Sequence, residues 1–393
     1  MQTTTRHDQS RHVRGLLAIL TVLAVASGAR AEFNKVTVYK AEFNKVTVYK
    51  AGDDGYHTYR IPAIVRAVNG ELLAFAEARK NGPGDHGDID IVLKRSTDNG
   101  ATWGPMQLVQ DEWSAPNSKV WIGNPTPIVD SKDPKHPGRI WLVFTRSNHA
   151  MFVTSSDDNG KTWSPPRDIT STSGNEEWQW YAAGPVHGIQ LTRGPHAGRL
   201  IAPCDHSVGA SVQEKKSWGA HLVYSDDHGA TWKLGATDTH AAEDPIHPNE
   251  CVAVELVDGR IYVNARDHLG SSPATRAVAY SSDGGENFDS RFVAEPSIVS
   301  PVVQNSAIRF SATDQGDAKN LLVYAGPGDS KKRRDLTVLT SDDEGQSWKK
   351  VVVLHEGPAA YCDLVKLDNE RVGVLFEAGE KLYDEIAFAA FEP

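Results

Sequence analysis

Carboxylates gather in one glycine-rich loop of this sequence. Residues 74–90 read as an apolar strand that runs into the loop, and the loop carries Asp85, Asp88 and Asp90. Asp90 falls within the pattern of the next strand, so we interpret it as structural, while Asp85 and Asp88 could serve as general acid or base. If the loop closed over a substrate and excluded water, the pKa of such a carboxyl group would rise toward the working range.

Other polar residues carry only a weak signal when each is taken alone. Arg60, in the run Tyr-Arg-Ile-Pro, fits a salt bridge at a strand edge, and the basic run 331–334 fits a solvated loop. Tyr361, at the start of an apolar strand, fits packing in a core or at its rim. These residues gain a role only if the fold brings them together.

The composition narrows the class of partner. The chain has 393 residues, a formal net charge of −10 and a pI of about 5.8. An acidic chain disfavours a nucleic-acid partner, but a few local arginines can still bind a small anion. Three cysteines, Cys204, Cys251 and Cys362, are too few for a disulfide framework, although one pair could form. The sequence contains no metal-binding motif, so we predict no metal and no cofactor.

One eight-residue pattern recurs along the chain: Ser, any residue, Asp, any residue, Gly, two further residues and an aromatic. Its copies, called Asp boxes here, run at 96–103, 156–163, 225–232, 281–288 and 341–348. The fourth copy has Phe in place of Trp. The Asp can accept hydrogen bonds from its own turn, Gly allows positive φ, and the aromatic can pack between strands. The boxes predict hairpin tips in a β-repeat, located away from the substrate.

Short β-runs separated by Gly, Pro, Asn and Asp fill the chain from residue 44 onward, and no long helical pattern competes with them. Together with the spacing of the boxes, this predicts an all-β fold, a six-bladed β-propeller, as a single catalytic domain over residues 44–393. One blade would lack a box where the ring closes. A β-sandwich or a solenoid with the same turns is the alternative fold.

The N-terminus has the pattern of a targeting segment. Arg11 and Arg14 precede an apolar run at 15–26, and small residues follow as far as Ala31. We predict a signal peptide at 1–31, cleaved after Ala31, and a secreted or periplasmic mature protein without membrane contact; an uncleaved anchor is the alternative. Residues 31–40 are repeated without change as 41–50. Of the duplicated segment 32–50, only one copy is expected to pair as a strand.

The Arg-Ile-Pro run at 60–62, followed by repeated Asp boxes, resembles the exo-α-sialidase (neuraminidase) family of retaining glycosidases. The resemblance runs from about Val46 to the C-terminal region. It implies a cofactor-independent enzyme on a β-propeller. Sialylated glycoproteins, glycolipids or oligosaccharides would be its substrates.

This family binds the carboxylate of sialic acid with three arginines from distant parts of the chain. The resemblance places Arg60 first, Arg266 second and Arg333 third, with the neighbouring Arg334 as an open alternative. Three guanidinium groups can hold a carboxylate through planar, charge-assisted hydrogen bonds that lysine would not reproduce. Arg79 is implied to contact the carboxylate or the sugar's O4 oxygen.

Three residues are implied to be catalytic. The acid/base Asp of the family follows an Arg by six positions, which selects Asp85 and leaves the other two loop carboxylates as alternatives. Matching flanking sequences imply that Glu250 assists a Tyr361 nucleophile. A neutral phenol avoids the repulsion that an anionic nucleophile would meet at an anomeric carbon bearing a carboxylate, and sialidases are known exceptions to the two-carboxylate rule.

Further contacts follow from the same resemblance. Asn124 would approach O4, Tyr181 matches an aromatic near the site, and Gln304 could approach the glycerol tail. The wall of the N-acetyl pocket could come from one of three tryptophans, which fit core packing equally well: Trp121, Trp178 and Trp180.

The sequence thus predicts an exo-α-sialidase, with two alternatives. A trans-sialidase would use the same residues but pass sialic acid to a sugar acceptor. A non-catalytic Asp-box propeller that binds glycans or proteins would have lost catalytic positions at random, whereas all of them are present here in family order.

Overall fold

A computed structural model describes residues 44–115, 119–209, 216–270 and 275–393. The predicted signal peptide and the first copy of the ten-residue repeat lie outside the described residues. Nearly all regular structure in the described part is β-strand, and the α-helix found there is the short α1 (Thr170–Ser173). The all-β prediction is confirmed.

Four sheets are each built around four consecutive antiparallel strands. The first two contain β2 (Thr58–Arg66), β3 (Leu72–Arg79), β4 (Ile89–Ser96) and β5 (Gln107–Gln110), then β6 (Ile122–Asp130), β7 (Arg139–Arg146), β8 (Ala150–Ser156) and β9 (Arg167–Asp168). The third contains β10 (Trp178–Ala183), β12 (Leu200–Val208), β13 (Ser217–Ser225) and β14 (Lys233–His240), with the short β11 (Ile189–Gln190) beside β12. The fourth contains β15 (Pro248–Glu255), β16 (Ile261–Asp267), β17 (Arg276–Ser281) and β18 (Val293–Ala294).

The fifth sheet has seven strands. In chain order they are β1 (Lys45–Lys50), β19 (Ser306–Ser311), β20 (Leu321–Pro327), β21 (Arg334–Ser341), β22 (Lys349–Lys366), β23 (Val372–Ala378) and β24 (Glu385–Phe391). This arrangement of sheets is propeller-like. The count of six blades stays a prediction, because the described strands form five separate sheets.

The first strand of the described chain completes the sheet formed by the last ones. β1 comes from the second copy of the repeat and pairs antiparallel with β24, with Lys45 opposite Ala389 and Lys50 opposite Glu385. Val48 and Tyr49 of β1 are buried, and the Tyr49 hydroxyl donates to the backbone oxygen of Ala74 at 2.7 Å. The second copy of the repeat therefore pairs as a strand. That only one copy pairs stays a prediction.

The hydrophobic core lies between neighbouring sheets. Strands β2 and β3 are almost entirely buried, since both of their faces are covered, whereas the outer strand β5 is only partly buried. One cluster joins Leu73 and Phe75 of β3 to Ile140 and Leu142 of β7. Continuous apolar runs in the sequence therefore correspond to strands that are buried on both faces.

Each Asp box belongs to a unit of four strands and begins at the last residue of the third strand. These third strands are β4, β8, β13, β17 and β21. In the box at 156–163, Ser156 Oγ accepts the Gly160 N–H at 2.7 Å and donates to Asp158, while Asp158 accepts the N–H and hydroxyl of Thr162. The other four boxes share the bond from the Gly N–H to the Ser hydroxyl. The predicted hairpin turn is thus held by its own side chains.

The box aromatic packs against the preceding sheet. Trp163 lies edge-on to Phe75 of β3, and Trp232 lies edge-on to Trp141 of β7. In the box that has lost its Trp, Phe288 instead contacts Phe292 of its own unit. The boxes therefore fasten successive sheets together.

Two further findings concern the cysteines and the membrane. All three cysteines are buried free thiols. Among the described residues, no helix has the length and apolar character needed to cross a membrane.

Candidate active site

The candidate site is a cavity of about 250 Å³ lined by side chains from several sheets. It brings together six of the predicted site residues: Arg79, Asp85, Asn124, Glu250, Arg266 and Tyr361. Trp121 and Trp180 line it as well, while Trp178 packs against Tyr181 and His206. None of the cavity-lining residues belongs to an Asp box.

Irregular pairing in four strands re-aims side chains toward the cavity. Register shifts occur within 60–63 of β2, 123–126 of β6, 248–251 of β15 and 359–362 of β22. An extra residue in one strand turns the following side chains and locally ends the ladder. Residues that a regular strand would direct elsewhere thereby face one cavity.

Two of these irregularities place a residue in the left-handed region. Ile61 and Asn124 both have φ of 57° and both precede a proline. A β-branched residue rarely adopts this conformation, and strain of this kind persists only where surrounding contacts enforce it. Here buried carboxylates accept the two backbone N–H groups: Glu377 from Ile61 at 3.0 Å and Glu77 from Asn124 at 2.8 Å.

Tyr361 and Glu250 form the centre of the site. The Tyr361 hydroxyl donates to Oε1 of Glu250 at 2.5 Å, and Arg266 Nη1 donates to both the phenol oxygen at 3.0 Å and Glu250 Oε2 at 2.7 Å. Burial and the Glu250 carboxylate raise the pKa of the Tyr361 phenol, and the nearby guanidinium groups offset only part of that rise. The phenol is therefore neutral, and a base stands ready to take its proton.

Two more arginines flank the Tyr361 ring. The guanidinium carbons of Arg60 and Arg333 lie 5.4 Å and 5.5 Å from the ring centroid. Tyr383 contacts both of these arginines. The guanidinium carbon of Arg60 lies 3.8 Å from the centroid of the Tyr383 ring, and Arg333 Nη1 donates to the Tyr383 hydroxyl at 3.0 Å. Three arginines from distant sequence positions thus surround one phenol. The binding of a carboxylate that the resemblance implies for them stays a prediction.

Asp85 reaches the site from the glycine-rich loop. Arg79 Nη1 donates to Asp85 Oδ1 at 2.8 Å, and Arg60 Nη1 lies 3.9 Å from the same oxygen. Burial would raise the pKa of Asp85, but the charge and hydrogen bond of Arg79, together with Arg60, bring it below its usual value. Two guanidinium groups thus face the Asp85 carboxylate, and the Asp85 side chain is 66% exposed. The raised pKa expected for a loop closed over substrate stays a prediction.

Several predicted positions lie elsewhere. Tyr181 is buried and its hydroxyl donates to Ser173 Oγ at 2.9 Å. Gln304 is also buried, with its amide donating to the Asn305 and Cys362 backbone oxygens. Neither lines the cavity.

The open alternatives also lie away from the centre. Arg334 is exposed and pairs with Asp335, so the structure brings Arg333 rather than Arg334 to Tyr361. Asp88 and Asp90 both pair with Lys80.

Sequence reasoning missed a group of polar residues in the cavity wall. Asp205 is fully buried and accepts from Trp180 Nε1 at 3.1 Å and from Asn249 Nδ2 at 2.5 Å. Burial and the nearby Glu250 carboxylate raise its pKa. The ring centroids of His268 and Trp218 lie 3.8 Å apart. Burial and the nearby Arg266 lower the pKa of His268 to about 3. Asp205 and Asn249 lie within strands and His268 directly follows one, and none of them belongs to a motif that could have pointed to it.

One other group of described residues has the composition of a metal site. Ligand atoms of Asp130, Asp133 and His228 lie within 4.8 Å of one another. His228 Nδ1 contacts Asp130 Oδ2 at 2.9 Å, and the other Asp130 oxygen accepts the N–H groups of Lys132 and Asp133. Because these contacts already satisfy Asp130, the group is accounted for as a hydrogen-bonded cluster.

Comparisons with known proteins show which family the chain belongs to. A family model described as a BNR repeat-like domain matches residues 70–374. Sialidase-2 of Mus musculus is 32% identical over 371 residues, which cover 86% of this chain and 93% of that protein. The chain belongs to the sialidase family. The family and the glycoside hydrolase class predicted from the Arg-Ile-Pro run and the Asp boxes are thus confirmed.

Two further sialidases are also similar to this chain, over different shares of their own length. A sialidase of Micromonospora viridifaciens is 31% identical over 348 residues, covering 84% of this chain. The chain spans only 51% of that relative's length. The solved structure of the Hadza microbial sialidase Hz136 has 27% sequence identity and a TM-score of 0.76, and the match covers 88% of this chain and 68% of that chain.

Proposed function

We propose that this sialidase-family chain is a retaining exo-α-sialidase that hydrolyses terminal α-ketosidically linked sialic acid. The observation that carries the proposal is the hydrogen bond between the Tyr361 hydroxyl and Glu250, with Arg60, Arg266 and Arg333 around it. A cluster of three cations beside a neutral nucleophile suits a substrate whose anomeric carbon carries a carboxylate. Sialylated glycoproteins, glycolipids or oligosaccharides supply that chemistry.

The first half of the reaction forms a covalent intermediate. Glu250 takes the phenolic proton of Tyr361 as the oxygen attacks the anomeric carbon, and the glycosidic oxygen leaves with a proton from Asp85. The arginines hold the substrate carboxylate throughout.

The second half returns the enzyme to its starting state. Asp85, now a carboxylate, takes a proton from water as the water oxygen attacks the anomeric carbon, and Tyr361 leaves and regains its proton from Glu250. Two displacements on opposite faces give retention of configuration.

A bound substrate would also raise the pKa of the catalytic acid, Asp85. Arg60 lies within reach of Asp85 and is one of the three arginines assigned to the substrate carboxylate. A second anion on Arg60 competes for its charge and repels the Asp85 carboxylate, so both effects raise the pKa of Asp85. The acid would thus take up its proton when the substrate is in place.

The test is hydrolysis of a fluorogenic sialoside. Tyr361→Phe and Asp85→Ala should each lower kcat by orders of magnitude, because one removes the nucleophile and the other the acid/base. Wild-type turnover in either variant would contradict the assignment. Product analysis with added lactose distinguishes hydrolysis from transfer, since a trans-sialidase would form a sialylated acceptor.

For the scaffold, we propose six blades. Residues 349–358 of β22 pair with β21, and residues 359–366 pair with β23. The seven-stranded sheet can thus be divided within β22 into two four-stranded units, β19 to β22 and β22 to β24 with β1. Counted with the other four sheets, this gives six units, and the unit that lacks an Asp box is the one completed by β1.

The localisation proposed for this enzyme is secreted or periplasmic. It rests on the signal pattern at 1–31 in the sequence. N-terminal sequencing of the exported protein should find a mature chain that begins after Ala31.

A further inference from the structure

A second cavity, of about 320 Å³, lies toward the opposite ends of the strands that line the candidate active site. In β2 the active-site cavity is lined by Ile61 and the second cavity by 64–66; in β22 the corresponding positions are Tyr361 and 364–366. β6 and β15 show the same order. The volume falls in the range of small-molecule sites.

A buried ion pair lies beside the second cavity. The Asp363 carboxylate, fully buried, accepts the Ile64 N–H at 2.9 Å, the Ser306 hydroxyl at 2.8 Å and the Nδ1–H of His187 at 2.7 Å. His187 lines the second cavity. Because Nδ1 is bound to Asp363, and Nε2 has no hydrogen bond with the described residues, Nε2 is the ring nitrogen left for a ligand.

The walls of the second cavity are largely apolar, and its rim is cationic. Apolar side chains from different sheets form the wall, among them Val129, Val254, Ile308 and Leu364. Four cations line the cavity: Arg66, Arg193, Arg309 and Lys366.

Two of those cations are already neutralised. Arg193 pairs with Glu255, and Arg309 pairs with Glu344. Arg66 and Lys366, at the ends of β2 and β22, form no ion pair with the part of the chain that the structure describes. The cavity is thus lined by two positive charges that form no ion pair within the described residues, and the one carboxylate that lines it, Glu255, pairs with Arg193.

We propose that this cavity is a second binding site, for a small carboxylate with an apolar body. The carboxylate would be held by Arg66, Lys366 and Nε2 of His187, and the body would contact the apolar wall. A compact, strongly hydrated anion such as inorganic phosphate would leave that wall exposed and bind more weakly. The site is independent of the catalytic assignment, because it shares none of the residues that line the active-site cavity.

The test is fluorine NMR of a fluorinated phenylbutanoate titrated with the full chain. Binding should broaden and shift its signal, whereas the corresponding neutral amide should show no change. The Arg66→Met, Lys366→Met double variant should bind at least about tenfold more weakly, because it removes both unpaired charges. Lys349→Met, at an exposed position outside the cavity, should bind like wild type.

Charge-preserving variants keep the test decisive if the double variant is unstable. Arg66→Lys and Lys366→Arg should retain binding, and saturating probe should leave the KM for a fluorogenic sialoside unchanged. Binding that survives in the double variant, or that competes with the sialoside, would place the probe elsewhere and overturn the proposal. Equal binding of the amide, or no binding of the carboxylate, would overturn it as well.

Discussion

Glu377 and Arg60 are 317 residues apart in the chain, yet Arg60 Nε donates to Glu377 Oε1 at 2.6 Å. The same oxygen accepts the Ile61 N–H, and the other carboxylate oxygen accepts the N–H of Tyr361 at 3.1 Å. Glu377 is fully buried. One carboxylate thus fixes the first arginine of the cluster, the strained residue beside it and the backbone of the nucleophile.

Glu377→Gln should lower activity strongly although it preserves shape. Both carboxylate oxygens accept hydrogen bonds, so the amide NH2 of Gln must face a donor in either orientation. A buried unsatisfied group costs about 1–3 kcal/mol, and misplacing Tyr361 and Arg60 together should reduce kcat/KM of sialoside hydrolysis by about tenfold or more. Glu380→Gln, at an exposed position three residues later, serves as the control and should leave kcat/KM unchanged.

Arg79 should set the pH dependence of activity through Asp85. As an acid, Asp85 must be protonated, so kcat/KM falls as pH rises past its pKa in the free enzyme. Arg79→Met removes the main charge that holds this pKa below its usual value, and the descending limb should therefore move to higher pH. Lys80→Met is the control, because Lys80 pairs with Asp88 and Asp90. If the descending limb of kcat/KM stayed at the wild-type pH in Arg79→Met, Asp85 would not be the catalytic acid.

The sequence predicted the repeated parts of the fold for a physical reason. Each Asp box holds its own turn, as the bonds between Ser156, Asp158 and Gly160 illustrate, so eight residues are enough to identify it. The arginines and Tyr361 were found only through the family resemblance, because their roles depend on partners far away in the chain. Glu377, Tyr383 and Asp205 escaped for the same reason, since each acts through contacts that the fold creates.

The position of Tyr181 outside the cavity has a local explanation. Tyr181 lies in β10, and strand alternation turns neighbouring side chains to opposite faces. Trp180 and Ala182 line the cavity, and Tyr181 between them points into the core. A sequence motif locates such a segment, but the pleat decides which of its residues face the cavity.

The Asp-box glycine at 229 should be essential to stability but not to catalysis. Gly229 has φ of 82°, and a Cβ at this position would come within 2.1 Å of Cε2 of Trp141 in the preceding sheet. Gly229→Ala should lower the free energy of unfolding by about 2–4 kcal/mol, from backbone strain and overpacking together. Gly316→Ala is the matched control: Gly316 has φ of 93° but nothing within 4 Å, so it reports the strain alone. Chemical denaturation measures both, and equal losses would show that the contact with Trp141 adds nothing.

His187 should make stability depend on pH. Burial alone would lower the pKa of His187, but the Asp363 carboxylate outweighs burial and raises it above the usual value of about 6.5. The folded state therefore binds this proton more tightly than the unfolded state. The stabilisation is complete below the unfolded pKa and is lost as pH rises through the folded pKa.

His187→Gln removes this contribution while keeping a hydrogen-bond donor near Asp363. The difference in unfolding free energy between wild type and His187→Gln, measured by denaturation from pH 5 to 9, should shrink as pH rises past about 6.5. His196→Gln, at a partly exposed histidine away from Asp363, is the control and should give a difference without that slope. A difference for His187→Gln that is constant or grows with pH would mean that His187 is neutral in the folded protein, and Nε2 would then face the second cavity without a positive charge.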